Sequence, residues 1–588
     1  MDFFDLLTMI GGLALFLYGM HMLSEGLEKL SGGRLERVLE SMTDSRWKAV
    51  LLGAGVTAVI QSSSATTVMV VGFVNSGIMK LSQAIGVIMG ANVGTTITSW
   101  LLSLTGIESS SFFVRLIKPS SFSPVLAIIG VVFILFVKNA KKRDIGGILV
   151  GFAILMFGMD TMSDAMKPLS QNPSFTGLFT MFSNPVLGLA AGAALTAIIQ
   201  SSSASVGILQ ALCASGTVTY ASALPIILGQ NIGTCVTAMM SGIGAGRNAK
   251  RAALVHLLFN VIGVAVFMLV FYILNAAIHF DFLRQPANAA GIALIHTGFN
   301  VAATLVLLPF AGLLERLSFV VLAPDSEEYA QEKENAVFAK LDERFLQTPA
   351  FALEQTNSCV LKMADLAAEN VNAAMGALFE YDQQAIKQLE HREKLIDRYE
   401  DEVGGYLVKL SAKNLTGNDT RKLNMLLHGI SDLERISDHA VNIAELARSM
   451  NKSGQRFSGK ATRELKIFSQ AVLDIVGESV QIFESEDLEG ARKIEPFEEA
   501  IDRLQREMKK RHTKRLRKGK CTAQMGLVLS DITNNYERIA DHCSNLAIGV
   551  LQLYESETYA HEYTDSLDRA DESEFHALYQ SYLLKYGI

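Results

Sequence analysis

The segment Gln61-Ser62-Ser63-Ser64 interrupts an otherwise apolar stretch of the chain, and the same four residues recur as Gln200-Ser201-Ser202-Ser203. The two copies lie 139 residues apart (200 − 61). A short uncharged polar run is costly in hydrocarbon unless it finds hydrogen-bond partners or lines a cavity. Two copies at matched positions therefore indicate one site assembled from two halves. Such a site is typical of a transporter rather than of an enzyme.

The same offset relates the sequence on both sides of the polar runs. Residues 90–96 (GANVGTT) match residues 229–235 (GQNIGTC), and Thr57 matches Thr196. Duplication of a membrane unit is a recurrent architecture of transporters. We therefore predict two homologous membrane repeats.

The composition changes along the 588 residues, which are too many for one ordinary hydrophobic core. Apolar runs with few charges extend to about Phe310, whereas the sequence after Ala323 is rich in Glu, Lys, Arg and Asp with helical periodicity. We predict an all-α polytopic membrane protein with a cytoplasmic helical-bundle domain. Its predicted parts are membrane repeat 1 (1–143), membrane repeat 2 with an additional helix (144–315), a linker (316–345), a helical domain (346–553) and a C-terminal tail (554–588).

The apolar pieces that flank the first polar run, 49–60 and 65–79, are about 12 and 15 residues long. A helix needs roughly 20 residues to span a bilayer. We therefore interpret each pair of pieces as a re-entrant hairpin with the polar run at its tip. Two short tilted spans or one long helix are the alternatives. With a hairpin, each repeat crosses the membrane three times, and an odd number of crossings inverts the second repeat relative to the first.

Basic residues are distributed unevenly among the loops. The loops at 24–48, 138–144 and 241–251 are rich in them, and the intervening loops are poor. The rich loops contain Lys29, Arg34, Arg37, Arg46, Lys48, Lys138, Lys141, Lys142, Arg143, Arg247, Lys250 and Arg251, and the poor loops contain Arg115, Lys118, Lys167 and Arg284. The positive-inside rule places the rich loops in the cytoplasm. We expect a multi-pass protein of the cell membrane with its N-terminus outside, its charged C-terminal region in the cytoplasm and no cleaved signal peptide.

The polar runs have the chemistry to bind small ions. Helix N-termini at the runs would offer backbone N–H groups, and Ser and Thr hydroxyls would add donors, which suits a tetrahedral oxyanion. Hydroxyl, amide and freed carbonyl oxygens suit Na⁺, a hard cation. Candidate ligands are Gln61, Ser62, Ser63, Ser64, Thr66, Thr67, Asn92, Thr95, Thr96, Gln200, Ser201, Ser202, Ser203, Ser205, Asn231 and Thr234. For the Gly-x-Asn-x-Gly-Thr motifs, close helix packing is the alternative interpretation.

Two later apolar segments each carry a His-x-x-Phe-Asn motif, with His256 and Asn260 in the first and His296 and Asn300 in the second. His and Asn at this spacing share one face of a helix. The favoured interpretation is hydrogen bonding between packed helices. A role in a proton or ion path is the alternative.

Taken together, residues 61–67 (QSSSATT), residues 200–205 (QSSSAS), the paired Gly-x-Asn-x-Gly-Thr motifs and the His-x-x-Phe-Asn segments resemble the type II sodium–phosphate cotransporter family. The resemblance covers roughly residues 1–315. It implies Na⁺-coupled movement of inorganic phosphate, with both Ser runs in the substrate and cation site. The second copy departs from the first, because Ser205-Val206 replaces Thr66-Thr67. We therefore expect the two halves of the site not to be equivalent.

The charged region contains a second repeat within six predicted helices, at roughly 350–378, 382–412, 419–450, 461–484, 487–513 and 521–553. Residues 433–439 (LERISDH) match residues 536–542 (YERIADH), an offset of 103 (536 − 433). Glu-x-x-x-Asp places two carboxylates on one helix face, where a cation or a basic side chain must relieve their repulsion. Candidate metal ligands are Glu393, Asp397, Glu434, Asp438, Glu498, Asp502, Glu537 and Asp541. A solvated face with Arg435 and Arg538 as ion-pair partners is the alternative.

This region resembles the PhoU family of phosphate-response regulators over about residues 345–553. The resemblance implies two three-helix bundles, a divalent or iron-type metal, and cytoplasmic phosphate-signalling proteins as partners. No motif is recognisable in residues 554–588.

The leading hypothesis is therefore a Na⁺:phosphate symporter in the lipid bilayer with a phosphate-responsive cytoplasmic domain. A phosphate exporter and a membrane-bound phosphate sensor without turnover are the alternatives. We predict no enzymatic activity, because no Walker A, His-Glu-x-x-His or nucleophile-elbow motif occurs. No basic-aromatic pattern points to nucleic acid, and the sequence leaves open whether the chain forms a homo-oligomer.

Overall fold

The computed structural model describes residues 3–31, 45–104, 119–166, 181–323, 338–413, 415–554 and 572–587. Regular structure in these ranges is helical apart from one isolated bridge between Thr219 and Pro286, so the all-α prediction is confirmed. The chain divides into two compact units, Met1–Phe351 and Ala352–Ile588. Several of the loop residues used for the charge argument, Arg34, Arg37, Arg115, Lys118 and Lys167, lie outside the described residues.

The first unit contains two sets of helices with matching bounds. The first set is α1 (Phe3–Ser31), α2 (Arg46–Ile60), α3 (Ser63–Asn75), α4 (Leu81–Ser103) and α5 (Pro119–Phe136). The second set is α6 (Ala140–Met166), α7 (Pro185–Ile199), α8 (Ser202–Cys213), α9 (Tyr220–Ser241) and α10 (Arg247–Ile278), and α11 (Ala289–Leu307) and α12 (Ala311–Val321) follow it. Both ends of α2 and α7 differ by the offset of 139 (185 − 46, 199 − 60).

Six helical segments among the described residues are long and apolar enough to cross a membrane. They are Phe4–Leu30, Leu81–Ser103, Lys141–Met166, Tyr220–Ser241, Arg247–Ile278 and Ala289–Val321. The helices on both sides of each polar run are shorter, with 15 and 13 residues in the first repeat and 15 and 12 in the second. The chain is thus a membrane protein, as predicted.

The contact between α1 and α6 reveals the relation between the two repeats. A Cβ at Gly19 would lie 2.7 Å from the carbonyl oxygen of Gly151, and a Cβ at Gly158 would lie 2.7 Å from that of Gly12. Gly151 and Gly158 are the counterparts of Gly12 and Gly19 at the offset of 139 (151 − 12, 158 − 19). Each glycine therefore meets the counterpart of the other, which requires α1 and α6 to run antiparallel across a pseudo-two-fold axis. The predicted inversion of the second repeat is confirmed.

The second unit is a helical domain. Its helices are α13 (Pro349–Phe379, which begins in the first unit), α14 (Gln383–Ser411), α15 (Gly417–Ser453), α16 (Gly459–Ser485), the short α17 (Leu488–Ala491), α18 (Ile494–Arg517), α19 (Ala523–Tyr554) and α20 (Glu572–Lys585). Five of them match predicted helices within three residues at each end, whereas the predicted helix 487–513 is divided into α17 and α18. The helix α20 was not predicted, and it packs on α18 through the stacked rings of Tyr582 and Phe497, whose centroids are 4.2 Å apart.

Reciprocal contacts also relate the two halves of this unit. Asp432 accepts a hydrogen bond from Nδ1 of His542 at 2.8 Å, and Asn535 lies 2.9 Å from Nδ1 of His439. Asn535 and His542 are the counterparts of Asp432 and His439 at the offset of 103 (535 − 432, 542 − 439). The helices α15 and α19 are therefore antiparallel equivalents, as the sequence repeat predicts.

Candidate functional site

Each polar run is a helix break with the same local structure. The helix α2 ends at Ile60, and Gln61 follows in the left-handed region with a φ of 61°. Ser62 is extended, and its Oγ accepts a hydrogen bond from the backbone N–H of Ala65 at 3.2 Å, which caps α3. The second run repeats this geometry, with Gln200 at a φ of 59° and a cap bond of 3.2 Å from Ala204 to Ser201.

The two helices at each break fold back on each other. The hydroxyl of Thr57 donates to that of Thr66 at 3.1 Å, and Thr196 donates to Ser205 at 2.8 Å. Nine residues of continuous helix would separate such a pair by about 13 Å. The chain therefore reverses at Gln61 and at Gln200, and a helical hairpin carries each polar run at its tip. That these hairpins are re-entrant in the bilayer remains a prediction.

The two tips meet. Oγ of Ser64 donates to the backbone carbonyl of Gln200 at 3.3 Å. Ser63, Ser202 and Ser203 are buried beside this contact point along the chain. The first N–H groups of a helix have no partner within the helix and carry its positive dipole end. The structure thus brings the N-termini of α3 and α8, and both Ser runs, to one place.

The two halves differ in how they hold their glutamine. Oε1 of Gln61 accepts a hydrogen bond from Thr98 at 2.8 Å. The counterpart of Thr98 is Thr237 (98 + 139), whose buried hydroxyl has no hydrogen-bond partner among the described residues. The Gln200 side chain is exposed, and its amide nitrogen lies 3.9 Å from the sulfur of Met240. The expected difference between the halves is therefore visible in the hydrogen bonds of their glutamines.

Threonine hydroxyls form further hydrogen bonds at the hairpin tips. The Thr67 hydroxyl donates to the carbonyl oxygen of Ser63 at 2.6 Å, and that of Thr66 donates to Ser62 at 3.0 Å. Val206 replaces Thr67 in the second half, so this bond has no counterpart there. Thr57, Thr98 and Thr196 were not among the predicted ligands. The preserved offset of Thr57 and Thr196 was the signal that could have identified them.

The Gly-x-Asn-x-Gly-Thr motifs contribute mainly to helix packing. A Cβ at Gly90 would lie 2.0 Å from the carbonyl oxygen of Val50, and the counterpart at Gly229 would lie 2.0 Å from that of Leu189. These glycines therefore let α4 lie against α2, and α9 against α7.

One polar residue of these motifs reaches a hairpin, since Gln230 donates to the carbonyl oxygen of Ser205 in α8 at 2.9 Å, and the others bond elsewhere. Asn92 donates to Oδ1 of Asn260 in α10 at 3.1 Å. The remaining side chains, Thr95, Asn231 and Thr234, donate to carbonyl oxygens one turn earlier in their own helices, and Thr96 donates to Val93.

The two His-x-x-Phe-Asn motifs are buried against these helices. Nδ1 of His296 lies 2.8 Å from the hydroxyl of Ser99 in α4. Gln210 in α8 donates to the carbonyl oxygen of the same Ser99 at 3.0 Å. Hydrogen bonding between helices, the favoured interpretation, is thus observed for His296 and for Asn260. The ring nitrogens of His256 are buried without a partner among the described residues.

Three predicted metal ligands come together in the first half of the second unit, and a fourth, Glu434, lies beside Asp438. Ligand oxygens of Glu393, Asp397 and Asp438 all lie within 4.8 Å of one another. Burial and the neighbouring Asp438 raise the pKa of Glu434 to about 7. Burial, followed by the repulsion of nearby carboxylates, also raises the pKa of Glu393 and Asp397. Arg435 lies 3.5 Å from Glu434 and 3.7 Å from Asp438, so the proposed ion pairs also form.

In the equivalent acidic group of the second half, the largest rise in pKa exceeds that found in the first half. Burial, with repulsion from Asp502, Glu495 and Asp541, raises the pKa of Glu498 to about 9. The pKa values of Glu537 and Asp541 are raised for the same primary reason. Among the described residues, only Glu393, Asp397 and Asp438 bring their ligand oxygens within 4.8 Å of one another, so the second-half carboxylates are crowded without meeting this geometry.

Comparison with known proteins identifies both units. The family model described as Na⁺/Pi-cotransporter matches residues 15–164 and again residues 154–306. The PhoU domain model matches residues 360–447 and 465–549.

Three relatives illustrate the match. YjbB of Salmonella typhimurium, named as a candidate inorganic phosphate export protein, is 26% identical over 522 residues, which cover 87% of this chain and 91% of YjbB. YqeW of Bacillus subtilis, an uncharacterized protein, is 35% identical over 308 residues, which cover 52% of this chain and 95% of YqeW. The sodium-dependent phosphate transport protein 2A of Rattus norvegicus is 36% identical over 131 residues, which cover 21% of this chain and 20% of that protein.

The family match covers both repeats with their polar runs, and the PhoU match covers both halves of the charged region. The chain therefore belongs to the Na⁺/Pi-cotransporter family and carries a PhoU domain region after its membrane unit.

Proposed function

We propose that the protein transports inorganic phosphate across the cell membrane and that a Na⁺ gradient drives this transport. The observation that carries this proposal is the contact between Ser64 and Gln200, which joins the two hairpin tips. Two helix N-termini and the Ser hydroxyls around this contact supply donors for a tetrahedral phosphate. The oxygens of Gln61, Gln200 and the tip carbonyls supply ligands for Na⁺.

The inverted repeats give this site a physical route to alternating access. Rocking one repeat against the other around fixed tips would open the pocket first to one side and then to the other. In this proposal the hairpins are re-entrant, the N-terminus lies outside, and the PhoU region is cytoplasmic. The basic loops that the sequence analysis placed in the cytoplasm support that orientation.

The test is uptake of radiolabelled phosphate by proteoliposomes with and without an inward Na⁺ gradient. We expect the gradient to raise uptake at least about tenfold. Ser63→Ala and Ser202→Ala are each expected to reduce it about tenfold or more, since each removes a buried hydroxyl of the tips. Ser103→Ala is the matched control, because the buried Ser103 hydroxyl donates to Trp100 within its own helix. Equal uptake with and without Na⁺ would contradict the coupling, and full activity of both tip variants would contradict the site.

Export is the second candidate direction. It is favoured by the relative YjbB, which is named for phosphate export and aligns with 87% of this chain. Proteoliposomes loaded with phosphate and given an outward Na⁺ gradient measure the reverse reaction. Efflux that exceeds uptake under mirrored gradients supports export, and the opposite ratio supports import.

We also infer that Glu393, Asp397 and Asp438 hold a divalent or iron-type metal ion. The mutual distance of their oxygens, within 4.8 Å, supports this inference. Calorimetric titration of the detergent-solubilised protein with Mn²⁺ at pH 7 tests it. We expect Asp397→Asn to weaken binding about tenfold, whereas Glu402→Gln, an exposed change on the same helix, leaves it unchanged. Equal affinities in all three proteins would count against the metal site.

A further inference from the structure

A short segment before α13 is buried in the membrane unit. The chain from Asp342 to Phe351, here named the anchor, contains a one-turn helix at Glu343–Gln347 and then the first residues of α13. Phe345 and Phe351 are fully buried, and Asp342, Leu346 and Thr348 are buried as well. All of the anchor belongs to the first unit. A connection between two domains is normally exposed, so this burial requires an explanation.

The polar part of the anchor binds the end of the first hairpin. Asn75 closes α3, and its amide nitrogen donates to Asp342 at 2.6 Å. The amide oxygen of Asn75 accepts from the backbone N–H of Gly246 at 2.9 Å. Arg344 donates to Asp342 at 2.6 Å and to the carbonyl oxygen of Ser241 at 3.1 Å. The anchor therefore joins α3 of the first repeat to the connection between α9 and α10 of the second.

The apolar part of the anchor packs on the same end of α3. The rings of Phe345 and Phe351 lie 5.5 Å and 5.1 Å from that of Phe73, and 5.0 Å from each other. Gly72 makes room for them, since a Cβ at this position would lie 2.7 Å from the Phe345 ring. Three mutually packed rings in a buried site fix the relative position of the segments that carry them.

The second hairpin lacks the residues that bind the anchor. At the offset of 139, the counterparts of Gly72, Phe73 and Asn75 are Ala211, Leu212 and Ala214. The duplicated fold therefore does not require these three residues. Their presence at the end of α3 alone is explained by the contact with the anchor.

We propose that the anchor mechanically couples the first hairpin to the PhoU region. Ser62–Ser64 lie at the N-terminal end of α3, and the anchor contacts the C-terminal end. The helix α13 starts inside the anchor and continues into the second unit. A displacement of α3 during transport must therefore either break the Phe73 cluster and the Asn75 bonds or move the start of α13. This proposal rests on the proposed transport function, because the anchor would transmit ligand binding at the hairpin tips to the PhoU region.

Hydrogen–deuterium exchange of the full chain in nanodiscs tests the anchor without requiring transport. In Phe345→Ala, we expect exchange to rise about threefold or more both in residues 63–75 and in residues 352–365. Asn75→Ala is a milder second variant, since the second hairpin already has Ala214 at this position. Leu212→Ala is the matched control, expected to raise exchange in residues 202–213 only. A rise in 63–75 with no change in 352–365, or no rise in either segment, would overturn the proposal.

In the second part of the experiment, hydrogen–deuterium exchange is measured with inorganic phosphate and NaCl added. In the wild type, we expect phosphate to slow exchange at residues 62–67 and to change exchange in residues 352–365. In Asn75→Ala, the change at 352–365 should fall to about one fifth while the protection of the tip persists. An undiminished change at 352–365 in this variant would overturn the coupling. Absent protection of the tip would instead contradict the phosphate site, while the comparison of the variants without phosphate still decides the coupling.

Discussion

At the scale of single residues, the two halves of the tip are alike in backbone and different in side-chain contacts. Both Gln61 and Gln200 adopt left-handed conformations, which cost a non-glycine residue about 1 kcal/mol. In the first half, the side chain of Gln61 accepts a hydrogen bond from Thr98. In the second half, the corresponding bond is missing, and the Gln200 amide is exposed. The exposed amide of Gln200, whose nitrogen makes a 3.9 Å contact with the Met240 sulfur, is thus more accessible to a ligand than the side chain of Gln61, whose oxygen accepts from Thr98.

This difference predicts opposite consequences of removing the two side chains. Gln200→Gly relieves the strain of the left-handed backbone and loses only the 3.9 Å contact between the Gln200 amide and the Met240 sulfur. We therefore expect the Tm to rise by about 1–2 °C. Gln61→Gly relieves the same strain but leaves the Thr98 hydroxyl without its acceptor, at a cost of roughly 1–3 kcal/mol. Its Tm should therefore not exceed that of the wild type. Thermal unfolding in detergent measures both values, and equal shifts would show that the Thr98 bond contributes nothing.

We expect the half-buried carboxyl of Glu498 to make the stability of the PhoU region depend on pH. Its pKa rises from an ordinary 4.5 to about 9, chiefly because of burial. The protonated form is thus favoured by folding, and this contribution is complete below pH 4.5 and is lost as the pH rises through 9. With a chelator present, we expect Glu498→Gln to match the wild type at pH 5 and to melt about 3 °C higher at pH 8.5. Glu499→Gln, a change at an exposed neighbour, is the control. If the Tm difference between Glu498→Gln and the wild type is the same at pH 5 and at pH 8.5, the raised pKa of Glu498 is contradicted.

At the scale of helices, glycines decide which helices lie in contact. Gly90 allows α4 to approach the backbone of α2, and a Cβ there would lie 2.0 Å from Val50 O. Backbone atoms cannot yield as a flexible side chain can. The second repeat preserves the arrangement at Gly229 and Leu189. The hairpin thus lies against the long helix of its own repeat in a fixed register.

We therefore expect Gly90→Ala to force α2 and α4 apart and to destabilise the membrane unit by roughly 2–3 kcal/mol. Phosphate flux should fall about tenfold, because the tip moves with α2. Gly55→Ala in α2 is the matched control, since no atom lies within 4 Å of the position of its Cβ. Thermal unfolding and flux are measured for both variants. A stable and active Gly90→Ala protein would exclude close packing as the role of the motif.

The sequence predicts local breaks of helices better than contacts between them. The break at Gln61 follows from a polar run between two apolar pieces that are too short to span a bilayer. The predicted second arm, 65–79, was displaced, because Ser62 caps α3 from Ser63 and the helix stops at Asn75 before the left-handed Gly77. The bond between Thr98 and Gln61 and the partner of Asn92 depend on tertiary packing, which no periodicity encodes. Likewise, α20 follows residues with no recognisable motif, and its place is set by Tyr582 on Phe497.

At the scale of the whole molecule, the two sequence repeats produce two pseudo-two-fold relations. In the membrane unit, α1 and α6 meet through reciprocal glycines, and in the PhoU region α15 and α19 meet through reciprocal Asp432, Asn535 and histidine contacts. The anchor breaks the first of these symmetries, because it binds only the first hairpin. The residues of α3 that contact the anchor therefore have no equivalents at the end of α8, although Arg344 of the anchor also donates to the carbonyl oxygen of Ser241 in the second repeat.

The anchor also predicts where the membrane unit can be shortened. A chain that ends after Val360 retains Phe345 and Phe351, so its membrane unit should melt within about 2 °C of the full-length protein. A chain that ends after Ala323 removes both rings from Phe73, and each buried phenylalanine is worth about 2 kcal/mol or more. We expect the Tm of this shorter chain to fall by about 5 °C or more. The full-length double variant Phe345→Ala/Phe351→Ala should reproduce that fall, because it loses the same rings while the PhoU region stays attached. Equal melting of the two truncated chains would show that the membrane unit holds the end of α3 without the anchor.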